Sequence, residues 1–203
     1  MKFACWTIAA LVLVAPAAGR PDALAAAASR LVGTSLQVAD GTIAVVCPLT
    51  IGGRFEAKTK ALKGELVLDP ARSGVVLGEF AVDLQTLQTG IGLRDNHMRD
   101  KYLEVQRGQD FAIATLDEIR LDGIDPQNPG GKAKFRGVLM LHGTEREVTG
   151  VADIRTTDQG VRVQATFPLK VSEFQIPSPS YLGVGVRDEV AVTVDFKLEP
   201  KRL

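Results

Sequence analysis

Only two imidazoles, His97 and His142, are available for proton transfer in the 203-residue chain, and a Ser or Cys nucleophile would need one of them within reach. No Gly-x-Ser-x-Gly elbow is present. The thiol candidate Cys47 sits in Val45-Val46-Cys47-Pro48-Leu49, an apolar setting that raises a thiol pKa and makes it inert, so it reads as a buried core residue. A zinc site wants three or four ligands at recognisable spacing, which two distant histidines do not supply. Asp95, His97, Asp100 and Glu104 crowd one segment as a hydrolytic cluster would. No nucleophile or metal set accompanies them, and acids in a first helical turn complement its positive end, with Asp95 as N-cap. His142, between Leu141 and Gly143, reads as a hydrogen-bonded turn or surface histidine. Catalytic and metal sets are thus both expected to be absent.

Charge disfavours a second class. The 24 basic and 24 acidic residues cancel and are scattered, so neither nucleic acid nor an anionic membrane surface is favoured as a partner, and there is no electrostatic footprint for a polyanion. Any binding would have to come from shape and apolar surface. Phe55, Phe80, Phe111, Phe135, Phe167 and Phe196 form an inward aromatic set. Such a set either fills a core or lines a cavity, since small barrels do both.

The elements that position these residues follow from period two, which sends successive side chains to opposite faces. Ala133, Phe135, Gly137, Leu139 and Leu141 share one face of Lys132 to Leu141. The same split recurs in Val161 to Leu169 and in Glu189 to Leu198, as antiparallel strands with one solvated side require. Further strands are expected at Thr42 to Val46, Gly53 to Thr59, Ala61 to Leu68, Val75 to Leu84, Phe111 to Leu121 and Val148 to Thr156. Turn residues separate them: Asp69-Pro70, Asp122-Gly123 through Pro129-Gly130-Gly131, His142-Gly143 and Asp158-Gln159-Gly160. One short helix is expected around residues 95–104, where apolar residues recur at three- and four-residue steps. Ser172 to Gly185, with Pro177 and Pro179, reads as a loop. Eight or nine such strands make a sandwich or a closed barrel, and inward Gly64, Gly78, Gly137 and Ala165 suit a curved sheet.

The N-terminus reads as an export signal. Lys2 precedes an apolar run from Phe3 to Val14 and small residues at Ala15, Ala17 and Ala18, with cleavage expected after Ala17 or within Ala23 to Ala28. The run is shorter than the roughly 20 residues that span a bilayer, so no transmembrane segment is expected in the mature chain. Residues 1–17 are then signal, 18–33 a flexible segment and 34–199 the domain. Cleavage would remove Cys5 and Trp6, leaving Cys47 without a disulfide partner. The destination is the periplasm or the exterior, as a monomer or homodimer.

Three segments carry a family resemblance. Val82-Asp83-Leu84 through Gly90, Arg94-Asp95-Asn96-His97-Met98, and the strand opening Phe111-Ala112-Ile113 form the first. Gly137-Val138-Leu139-Met140-Leu141-His142-Gly143 is the second, and Val171 to Pro177 with Val186 to Val190 the third. Together, over about residues 34 to 199, they resemble the YceI-like family of exported polyisoprenoid-binding proteins. Cys47-Pro48-Leu49-Thr50-Ile51 departs from the family's pattern, which commonly has a His before the Gly-x-Phe element at Gly53 to Phe55. The resemblance implies an extended, lipocalin-like antiparallel β-barrel of about eight strands. Its lumen would hold an isoprenoid or other long-chain amphiphilic lipid, of polyprenyl or quinone type, as ligand rather than as cofactor. It also implies lumen candidates Phe55, Leu66, Phe80, Phe111, Phe135, Leu139, Phe167, Val192 and Phe196, with Arg94, Asp95 and His97 at the rim. The competing expectation is a lipid-free interaction module of the cell envelope with a filled core.

Overall fold

The computed structural model describes residues 33–124, 130–157, 160–181 and 184–201. The expected signal with Cys5 and Trp6, residues 18–32, Pro129 and Asp158-Gln159 of two expected turns, and residues 182–183 of the expected loop lie outside them.

The strands are β1 (Ser35–Pro48), β2 (Arg54–Thr59), β3 (Leu62–Leu68), β4 (Val76–Asp83), β5 (Ile113–Asp122), β6 (Gly131–Leu141), β7 (Thr144–Thr157), β8 (Gly160–Lys170), the short β9 (Ser180–Tyr181) and β10 (Val184–Gly185), and β11 (Glu189–Pro200). Alternation decides which face each buries. In β6, Ala133, Phe135, Leu139 and Leu141 are buried while Lys132, Lys134 and Arg136 are exposed. Each strand from β3 to β8 pairs antiparallel with the next, β8 pairs with β11, and β11 returns to β1. β2 lies along one length of β1, from Ile43↔Thr59 to Pro48↔Arg54, and β3 along the other, from Ser35↔Val67 to Gln37↔Glu65. They are two halves of one bent strand. The result is a closed, eight-stranded antiparallel barrel, which leaves few sticky edges.

Two positions show how the aromatic interior is seated. Phe80 stands opposite Gly64, and Phe135 opposite Gly150. A Cβ at Gly150 would fall 2.6 Å from the Phe135 ring and 2.5 Å from the Thr166 carbonyl oxygen. Glycine is therefore required there for the ring to lie across the neighbouring strand.

Several expected boundaries move. β1 begins at Ser35 rather than Thr42, because a register shift between Val38 and Asp40 breaks the period that a pattern reading follows. β5 begins at Ile113, and Phe111 with Ala112 belongs instead to a helical turn, Gln109–Ala112. The expected loop holds a 3₁₀ turn, Val171–Phe174, and the β9–β10 hairpin. The helix α1 spans Gly92–His97 and widens into a π-helical turn, Met98–Tyr102. Its N-cap is Ile91, without a side-chain hydrogen bond; Asp95 lies inside the helix and does not cap it.

The pairings Pro48↔Arg54, Glu189↔Lys170, Leu141↔Thr144 and Asp83↔Ile113 put four connections at one end of the barrel. These are the β1–β2 hairpin, residues 171–188, the His142-Gly143 turn, and the helical stretch 84–112. The irregular sequence is thus concentrated where the barrel opens.

Candidate functional site

The barrel is hollow. A cavity of about 930 Å³ runs along it, lined at one end by Leu36, Leu68 and Leu198 and at the other by Leu49, Leu93 and Val186. From Leu36 to Cys47 along β1 the lining covers about 30 Å, at about 3.3 Å per residue and a strand tilt of about 40°. Its wall is formed mainly by Leu, Ile, Val, Ala and Phe. Inside it, Phe80 and Phe196 meet edge to face at 4.9 Å between ring centres, and Phe135 and Phe167 at 5.7 Å.

Eight of the nine expected lumen residues line this cavity: Phe55, Leu66, Phe80, Phe135, Leu139, Phe167, Val192 and Phe196. Phe111 does not. Its helical turn places it against His142, edge on at 4.7 Å, with the Arg107 guanidinium 4.3 Å over its ring. Of the expected rim residues, Arg94 and His97 line the cavity and Asp95 is buried beside it.

At the mouth, α1 and β2 meet where the Arg94 guanidinium lies 4.4 Å over the Phe55 ring. Thr89 fixes that arginine. Its hydroxyl accepts from Arg94 Nε at 2.8 Å, and its carbonyl accepts from the terminal nitrogen at 3.2 Å. The same hydroxyl donates to Asp95 Oδ1, which also accepts the Thr89 backbone N–H at 2.7 Å. These hydrogen bonds, the hydroxyl's first, hold the Asp95 carboxyl below its ordinary range against the opposing effect of burial, with help from Arg99 and Arg94. Asp95 therefore positions Arg94 through Thr89 rather than facing the cavity. This commitment also separates it from any hydrolytic pairing with His97.

Sequence reasoning missed Cys47, Arg54 and Lys101 as lining residues. Lys101 carries a readable signal, because Arg94, His97 and Lys101 stand at i, i+3 and i+7 on one helical face. Arg54 carries none, since alternation with Phe55 assigns it to the outer face. Cys47 is half-buried in the cavity wall. Burial pushes its thiol up to about 11, with Arg94 pulling weakly the other way.

His142 is buried at the same end. Its Nδ1–H donates to the Phe174 carbonyl at 3.0 Å, and Nε2 faces Glu104 Oε2 at 3.1 Å. The ring satisfies both acceptors when both nitrogens carry hydrogen. Among the described residues no group of three or more His, Cys, Asp or Glu side chains could hold a metal ion.

Solved structures share this architecture. BcnA of Burkholderia cenocepacia aligns with a TM-score of 0.62 at 16% identity, covering 77% of this chain and 95% of its own. A polyisoprenoid binding domain from Saccharophagus degradans, implicated in plant cell wall breakdown, aligns at 0.62 and 15% identity, covering 83% and 99%. The Campylobacter jejuni YceI protein aligns at 0.56 and 17%, covering 75% and 88%. No curated protein matches by sequence. The family model for the YceI-like domain matches residues 34–198, and the chain belongs to that family.

Proposed function

We propose that the protein is a non-enzymatic carrier or scavenger of an amphiphilic isoprenoid lipid, acting in the periplasm or outside the cell after export. The tail occupies the barrel, and the head group stays near α1 and β2. The hollow, apolar lumen about 30 Å long carries this reading. Burying a long tail there gains about 0.8 kcal/mol per CH₂ and requires no charge. The Saccharophagus domain, named for polyisoprenoid binding, shares the fold and lends support. The 930 Å³ of open interior speaks against a filled interaction module.

Native mass spectrometry of protein purified from its own host tests the proposal. The expected result is a co-purifying lipid that organic extraction releases. Absence of lipid, together with no uptake of added polyprenyl or quinone ligands, would overturn it.

A further inference from the structure

Six large apolar side chains stand exposed among the described residues, and four of them gather at the open end: Ile51, Ile91, Leu93 and Val184. Ile91, Leu93 and Val184 line the cavity mouth. Ile51 sits in the β1–β2 hairpin, which is stitched to Val184-Gly185 by the Thr50 N–H donating to the Gly185 carbonyl at 2.8 Å and the Gly185 N–H donating to the Thr50 hydroxyl at 2.9 Å. Leu93 is 69% exposed and Ile51 67%, more than Leu77 or Val151 on the barrel wall. Exposure of this kind, grouped at one opening, marks a contact surface rather than scattered apolar residues.

The lining of this mouth is cationic, although the connections around it and the chain as a whole are charge-balanced. Arg54, Arg94 and Lys101 line the mouth, and among the described residues none of the three is ion-paired. Among the described residues no carboxylate lines the cavity. Of the acids on the connections around the mouth, Asp95 is buried against Thr89, Glu104 pairs with Arg107 and His142, and Asp188 accepts from Ser172, while Asp100, Asp110 and Glu173 are exposed but do not line the cavity. Apolar tips beside lining cations that make no salt bridge match the acyl boundary and the charged head groups of a bilayer.

We propose that the open end docks on an anionic lipid bilayer, inserting Ile51, Ile91, Leu93 and Val184 while Arg54, Arg94 and Lys101 meet lipid phosphates. A docked barrel presents its lumen directly to the membrane, so a tail enters or leaves without crossing water. The docking claim extends the lipid-carrier reading but does not depend on its ligand.

Co-sedimentation of the purified protein with phosphatidylglycerol–phosphatidylcholine vesicles, and with phosphatidylcholine vesicles alone, tests it. Uptake of a fluorescent long-chain probe is measured separately in vesicle-free buffer. The protein is expected to bind the anionic vesicles in preference, and Lys101→Ala to weaken that binding about fivefold, from about 1 kcal/mol per surface cation. Ile51→Glu and Leu93→Glu should each weaken it about tenfold or more. Val151→Glu, an exposed wall residue, should leave it unchanged. Ile51 does not line the cavity, so Ile51→Glu should also keep normal probe uptake, which reports intact folding. Equal binding to both vesicles, or equal losses in Val151→Glu and Ile51→Glu, overturns the docking proposal. Probe uptake without sedimentation overturns docking alone, whereas sedimentation without probe uptake overturns the lumen reading alone.

Discussion

His142 Nε2 lies 3.1 Å from Glu104 Oε2, joining the β6–β7 turn to the helical connection across 38 residues of chain. Both residues have left-handed backbones, with φ of 52° and 49°, and so does Gln175 at 58°, next to the Phe174 carbonyl that accepts from the same ring. Three non-glycine residues in this conformation, each costing about 1 kcal/mol or more, converge on one imidazole. The ring binds together the two long connections at the open end.

His142→Ala is therefore expected to lose about 2–4 kcal/mol, from a buried cavity and an unpaired Phe174 carbonyl. Urea unfolding measures it. Glu104 supplies a pH signature. Its carboxyl is held below the ordinary 4.5, first by the hydrogen bond from Arg107, which with its charge and His142 outweighs burial. A lowered folded-state pKa gives stability that is fully present above the unfolded value and disappears as pH falls through the folded one. Wild type should exceed Glu104→Gln in stability at neutral pH, and the gap should close on acidification below about 4.5. A gap that widens toward acid would contradict this pairing.

The Cys47 thiol should resist alkylation. Raising its pKa from 9.0 to about 11 cuts the thiolate fraction near neutral pH by about a hundredfold. Iodoacetamide labelling of the native protein is expected to be slower than that of the urea-unfolded chain by about tenfold or more, because the greater nucleophilicity of a higher-pKa thiolate returns part of the lost fraction. Arg94→Ala removes the nearby cation that favours the thiolate, so it should slow labelling further.

Much of this was legible beforehand. Strands β6, β8 and β11 announce themselves by alternation, because one face packs inward and the other meets water. β1 hid half its length because the bulge between Val38 and Asp40 flips the phase. Phe111 misled for a related reason: it precedes a strand that begins two residues later, so its apolar character serves the His142 turn instead of the lumen. Periodicity alone left the interior filled or hollow, since both need the same inward apolar face. Partners brought together over long sequence distances, such as Glu104 with His142, leave no local pattern to read.

Gly150→Ala is expected to destabilise the barrel by about 1–3 kcal/mol, because the new methyl meets both the Phe135 ring and the Thr166 carbonyl. Gly64→Ala meets the Phe80 ring and the Glu79 carbonyl at 2.8 Å each and should behave alike. Chemical denaturation measures both. Gly90→Ala has open space around the added methyl, so its cost is limited to the backbone strain of φ 81°.

Ala165 faces the cavity from β8, which gives a direct test of hollowness. In a filled core, Ala165→Phe would overpack and cost about 1–3 kcal/mol. Here the added ring enters open volume and removes apolar area from water, at about 25 cal/mol per Å² buried. The variant is expected to be as stable as wild type or more so, while holding less of a long-chain probe. Paired urea unfolding and probe titration separate the two cases: lost stability with unchanged uptake means the interior is packed, and retained stability with reduced uptake means the space is the binding site.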